Sequence, residues 1–280
     1  MFSASKAAVT AAVARGMMTE PGPTVLYSGS CGASALWMIT SDGVLTIYGS
    51  GAMTSYAEGD PAPWNEYRDA FDTAVIEEGV TSIGDNAFTG CAGLTSVTIP
   101  DSVTSIGLGA FASCNGLTSV TIPSGVTSIG AAAFAGCTGL TGVYIADMAA
   151  WCGISFAANN PQGNPLYYAK KMYLNGALVT ALAVPEGVTV IKTGCFYNTT
   201  AFVSLTLPST LTTVGAGAFY GCTGVTSITS NAAAPPGLGT YALQGVPAAC
   251  PIYVEAASVD AYKAANGWKA RKDYIQAKAA

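Results

Sequence analysis

The sequence predicts an α/β solenoid of stacked 23-residue coils, with a β-hairpin cap at the N-terminal end and a helical cap at the C-terminal end. Three observations lead there. A 23-residue unit recurs without gaps, each copy holds one short strand pattern, and the 280 residues include 33 glycines with 50% apolar and only 10% charged residues. The copies VTSIGDNAFTGCAGLTSVTIPDS, VTSIGLGAFASCNGLTSVTIPSG and VTSIGAAAFAGCTGLTGVYIADM start at Val80, Val103 and Val126. Two more start at Val188 and Leu211. LVTALAVPEG (178–187) and TAVIEEG, before Val80, read as the ends of two degenerate copies, for about seven coils in all. Repeats of this period signal stacked supersecondary units.

Within one unit, Val80, Ile83, Ala87, Phe88, Cys91, Leu94, Val97 and Ile99 hold the recurring apolar or small positions. Val97 and Ile99 share one side of a strand by its period of two, and Ser96 and Thr98 then face solvent. Pro100 ends the strand because it has no amide to donate. One unit cannot bury its apolar side alone, so stability must come from stacking on its neighbours. The series Phe88, Phe111, Phe134, Phe196, Phe219 should form a spine inside the stack.

Composition excludes several function classes. The chain has no histidine, which removes Ser-His-Asp and Cys-His nucleophiles, histidine metal sites and histidine pH switching. A net charge of −5 with few basic clusters argues against nucleic acid as a partner. No apolar run reaches the roughly 18–20 residues of a membrane span. Low charge with abundant apolar residues excludes intrinsic disorder. The acids Glu58, Asp60, Glu66, Asp69, Asp72, Glu77, Glu78 and Asp85 cluster in a cap, without calcium-loop spacing. No catalytic residue, metal ligand or cofactor is assigned.

Eight cysteines invite a disulfide reading, but Cys91, Cys114 and Cys137 lie 23 residues apart and Cys222 shares their repeat position. A buried ladder of free thiols is the expectation, since stacked side chains point in parallel and small thiols suit cores. Cys31, Cys152, Cys195 and Cys250 read as scattered.

The boundaries follow. Residues 1–22 form an arm or short helix, with Val9, Val13 and Met17 at near-helical spacing as a possible oligomer joint; 23–79 form the N-terminal cap. Repeats fill 80–230, with an insert near 147–177, and the C-terminal cap covers 231–280. In the first cap, ALWMITSDGVLTIYGSG reads as a hairpin turning at Asp42-Gly43. Trp64, Tyr67 and Phe71 then follow at helical spacing. In the last, Ser258 reads as a helix N-cap, Gly267 as a C-cap, and Tyr262 and Trp268 as plugs.

The unit VTSIGxxAFxGCxGLTSVTIPxS resembles the leucine-rich repeat of the BspA-like family of bacterial surface and secreted proteins. The resemblance runs from roughly Cys31 to Ile275. It implies a right-handed leucine-rich-repeat coil, curved, with a parallel β-sheet on one face. It also implies extracellular or cell-surface display as a non-catalytic adhesion or recognition module. The copy at Val188 departs from the pattern, with Thr199 for the cysteine and Phe202 for the leucine.

Two places could bind a partner. The insert carries Trp151, Phe156, Tyr167, Tyr168 and Tyr173 among Asn159, Asn160, Gln162 and Asn164, a mixture suited to sugars or to a protein hot spot. Equally, the segment could pack over the repeats with Trp151 buried. The outward columns, Ser96 and Thr98, Ser119 and Thr121, with Tyr144 beyond them, offer a neutral hydroxyl-bearing surface. Two functions therefore stand open. One is a module binding a protein or glycan through the sheet face and insert; the other is a structural subunit of an extracellular or phage-like assembly, joined through residues 1–22.

Overall fold

The computed structural model describes residues 22–57, 60–157 and 161–279; the proposed joint, apart from Gly22, lies outside them, as do Glu58, Asn159 and Asn160. The N-terminal cap is a three-stranded antiparallel meander of β1 (Val25–Ser30), β2 (Ser34–Thr40) and β3 (Val44–Ala52), one strand more than the expected hairpin. The β2–β3 connection differs too. Gly43 donates its amide to Thr40 O at 3.0 Å and has φ 79°, so the loop spans three residues, 41–43, rather than the two of Asp42-Gly43. A type I turn closed by a left-handed glycine is the usual three-residue solution, and it matches the twist of the strands.

β3 converts the meander into the repeat stack. Its first half, Val44 to Ile47, pairs in parallel with Thr73–Ile76, and its end, Gly51 and Ala52, with Val80–Ile83. From there each regular repeat supplies two short parallel strands instead of the single one expected. The L-x-x-V-x-I segment gives Ser96–Thr98, Ser119–Ile122 and Gly142–Ile145. The V-T-S-I segment gives a second ladder, Ser82↔Ser105↔Ser128, stepping by 23 residues. β-branched residues at both segments favour extended backbone, and Ile83, Ile106 and Ile129 are buried beneath the second ladder. The arrangement is thus a leucine-rich-repeat fold of parallel strands with few helices, and its sheets lie on two sides of each repeat rather than one.

The aromatic spine is present. Phe88 and Phe111 stack with centroids 5.1 Å apart and planes 7° apart, Phe111 and Phe134 at 5.3 Å and 15°, and Phe196 and Phe219 at 5.3 Å and 12°. Leu166 of the insert, fully buried, stands in the sequence gap between Phe134 and Phe196. Neighbouring repeats approach so closely that a Cβ on Gly107 would sit 2.6 Å from the Asp85 amide nitrogen. The seventh position of the unit is left-handed in every described copy from Val80 onward, at Asn86, Gly109, Ala132, Gly194 and Gly217. Asn86 exploits that bend by donating Nδ2 to Tyr56 O at 2.8 Å.

All eight cysteines are buried and unpaired with one another by disulfides. The repeat thiols make a specific bond: Cys114 Sγ donates to Phe88 O at 3.1 Å, Cys137 Sγ to Phe111 O at 3.0 Å and Cys222 Sγ to Phe196 O at 3.2 Å. Each thiol thereby adds a further donor to a carbonyl of the preceding repeat that already accepts a backbone amide of its own turn, Cys91 N on Phe88 O, Cys114 N on Phe111 O and Thr199 N on Phe196 O, a bond alanine could not make. Burial pushes Cys91, Cys137 and Cys222 up to about 12, with bonded amides or a nearby Arg68 opposing in part. Thiolate is the reactive form, so at pH 8 the folded protein should consume almost no thiol reagent. In denaturant without reductant, eight thiols should titrate, and fewer than four would overturn the ladder. A raised thiol pKa also means that the unfolded chain releases protons first above pH 9. Stability should therefore fall as pH rises from about 9 toward 12.

Tryptophans close both ends. Trp64, fully buried, donates Nε1 to Ala87 O at 2.9 Å and packs 5.5 Å from Phe88. The helix expected around it is only a 3-10 turn, Asn65–Tyr67. At the other end Trp268 donates to Pro236 O at 2.7 Å, and the Tyr262 hydroxyl lies 2.7 Å from Ser230 Oγ, both rings fully buried. The C-terminal helix is Val259–Ala264, ending before Gly267. Ser258 does not cap it through its side chain; its hydroxyl donates instead to Ala233 O at 2.9 Å, tying the cap to the last repeat. A strand, Ile275–Ala277, adds in parallel to Ile252–Val254, so the cap is only partly helical.

Candidate functional site

The insert begins with α1 (Met148–Gly153), which Asp147 caps by accepting from the Ala149 and Ala150 amides at 2.7 and 3.0 Å. That helix points Trp151 inward. Its indole Nε1 donates to Cys195 O at 3.1 Å, its ring lies 5.5 Å from Phe156, and both residues are buried, at 1% and 8% exposure. Trp151 and Phe156 are therefore core residues and present no ring to a partner. Their burial follows from geometry shared with the N-terminal cap. Ala87 and Cys195 hold the same position of their repeats, so Trp151 does for the repeat at Val188 what Trp64 does for the repeat at Val80.

Asn164 completes this internal cap. It is 1% exposed, donates Nδ2 to Gly194 O at 2.8 Å and to Cys195 O at 3.0 Å, and accepts from the Leu166 amide at 2.9 Å. α2 (Leu166–Ala169) follows. Tyr168, half-buried, accepts at its hydroxyl from the Gly136 amide at 2.9 Å. Tyr167 packs 5.8 Å from Tyr197, which stacks on Tyr220 at 4.7 Å. Tyr197 and Tyr220 were not singled out from the sequence, although both directly follow a spine phenylalanine. Tyr167 and Tyr168 thus join that row rather than the hydroxyl columns.

The remaining sequence-predicted residues share one surface. Ser96, Thr98 and Thr121 are exposed and Ser119 half-buried, between inward Val97, Val120 and Ile122. Gly142 pairs with Ser119 and Tyr144 with Thr121, and Tyr173 lies beside Tyr144 in register. The Tyr144 and Tyr173 rings stack at 4.6 Å and 11°. Gly142 makes this possible, since a Cβ there would lie 2.9 Å from Tyr173 Cε2 and 3.2 Å from Tyr144 Cε2. A separate five-stranded sheet repeats the pattern on Ser204–Leu207 and Ser227–Ser230, where Thr206 pairs with Thr229 and Thr229 with Tyr253. Thr229 and Tyr253 were legible from the same offset in SVTIP-like segments but were not drawn from it. None of the strands that build this face contains Asp, Glu, Lys or Arg. Among the described residues no group of three or more Cys, Asp or Glu could hold a metal, and no helix is long and apolar enough to cross a membrane.

The family description "BspA type leucine rich repeat region" matches residues 66–155 and 169–245, in six copies. The chain is a BspA-type leucine-rich-repeat protein. The matched residues are more than half of it and break where the insert departs from the repeat. No curated protein matches the chain. Among solved structures, this leucine-rich-repeat protein is similar to one from Eubacterium ventriosum, with 20% identity, a TM-score of 0.40, and coverage of 82% of this chain and 78% of that one. It is also similar to a leucine-rich cell surface protein from Faecalibacterium prausnitzii, with 24% identity and a TM-score of 0.45. That match covers 77% of this chain but only 56% of the other.

Proposed function

We propose that the protein is a non-catalytic recognition module, displayed outside the cell as a curved right-handed solenoid, that binds a protein or glycan through its repeat face. The observation that carries this reading is the face built from the L-x-x-V-x-I strands. It is built by Ser96–Thr98, Ser119–Ile122 and Gly142–Ile145, strands without a charged residue, whose hydroxyls end at a stacked tyrosine pair. Such a surface desolvates cheaply and contacts by shape and hydrogen bonding rather than by electrostatic steering. The insert contributes Tyr173 to it, while Trp151 and Phe156 are buried away from it. Its histidine-free sequence fits a chain with no acid–base centre.

The test is an array of matrix proteins, serum proteins and glycans probed with the purified chain, with Thr121→Arg and with Thr206→Arg. These substitutions sit on the solvent side of strands and should change stability by less than about 0.5 kcal/mol. At least one ligand should be retained by the parent chain and lost with one of the two variants. Retention unaffected by either, or no ligand at all, would overturn the reading.

A further inference from the structure

Tyr144 and Tyr173 break the level of the hydroxyl face. Their strands are neighbours, and the rings lie nearly parallel, 4.6 Å apart, about one strand spacing. The rings therefore stand like tiles along the stacking direction. One side of Tyr144 is covered by Tyr173, and the other turns toward the adjacent strand, Ser119–Ile122. The residue in register on that strand is Thr121, whose side chain is too short to cover a phenol ring. The result is a step: the Tyr144 ring forms a wall, and Ser119 and Thr121 lie at its foot, with Ser96 and Thr98 on the repeat beyond. Gly142, two residues before Tyr144 on the same strand, carries no side chain that would push the rings apart.

We infer that this step is a subsite for an uncharged glycan, with a pyranose packing its C–H face on Tyr144 and its hydroxyls on Thr121 and Ser119. This rests on the recognition role proposed above and names its ligand class. An aromatic face beside short hydroxyls matches the two surfaces of a sugar ring, apolar on its face and polar at its edge. Neutrality selects among glycans. On the Thr121 side of the tyrosine pair no strand carries a basic side chain, and the exposed Lys171, two residues before Tyr173, belongs to the opposite side, so a sulfate or uronate at Thr121 would lose hydration without a counter-charge. An extended polymer suits the site because hydroxyls recur at the same offset on the preceding repeat, at Ser96 and Thr98.

Affinity electrophoresis tests this with laminarin, yeast mannan and galactomannan as neutral probes and heparin and polygalacturonate as acidic ones. At least one neutral polymer should retard the chain and neither acidic polymer should. Tyr144→Ala should weaken that retardation about tenfold, whereas Tyr144→Phe, which keeps the ring face, should hold it within about twofold. Tyr220→Ala, in the other tyrosine row, should leave it unchanged. No retardation by any neutral polymer, stronger retardation by an acidic one, or indifference to Tyr144→Ala would overturn the subsite. If a protein ligand is nevertheless retained and lost with Thr206→Arg, the recognition role survives without the glycan. If nothing is bound, both fall.

Discussion

Phe111→Ala is expected to destabilise the protein by about 3–5 kcal/mol, the usual cost of truncating a buried aromatic ring. The site offers little room for relaxation. Phe111 is fully buried and stacks on both neighbours, Phe88 at 5.1 Å and Phe134 at 5.3 Å, so one truncation strips a ring face from each. Its backbone is held as well: the amide donates to Ala133 O at 2.8 Å and the carbonyl accepts the Cys137 thiol at 3.0 Å. The cavity therefore stays open. Since a folded domain commonly has only about 5–15 kcal/mol in total, the loss should be plain in urea unfolding as a lower midpoint. An unchanged midpoint would refute the spine.

Trp151→Ala should cost about as much, roughly 3–5 kcal/mol. Here a buried ring is removed together with the donor to Cys195 O. Asn164 Nδ2 still reaches that carbonyl at 3.0 Å, so the polar penalty is partly covered, and the packing loss dominates. The outcome also separates the two readings open at the sequence level. A residue that served only as a surface contact would leave stability within about 0.5 kcal/mol, and that result would return Trp151 to the list of binding candidates.

How far the sequence carries depends on whether a residue's role repeats. Positions fixed by the 23-residue period, such as Phe88, Cys91 and Val97, were readable because stacking imposes one environment on every copy. The hydroxyl columns at Ser96, Thr98, Ser119 and Thr121 were readable by the same alternation. What escaped was set by singular contacts. The second strand at Val80–Ile83 is short, and its Thr81 and Ser82 look like any polar pair until a neighbour supplies a ladder. Trp151 and Tyr173 look alike as aromatics of one insert. Only the turn of α1 buries the first, and only the absence of a side chain at Gly142 lets the second stack in the open. Ser258 was placed at a helix start correctly, yet its hydroxyl serves Ala233 in the adjoining repeat, a partner outside any local rule.

The step that organises the structure also governs its kinetics. Ladder partners such as Ser105 and Ser128 lie 23 residues apart, and the thiol bonds reach back 26. Each closure is a short loop relative to a chain of 280 residues, so its entropic cost is small and does not grow with the number of repeats. Folding of such an array can start wherever two adjacent units first meet and then extend by one unit at a time. The tryptophan-sealed repeats at Val80 and Val188, each already covered on one side, provide two places for that start.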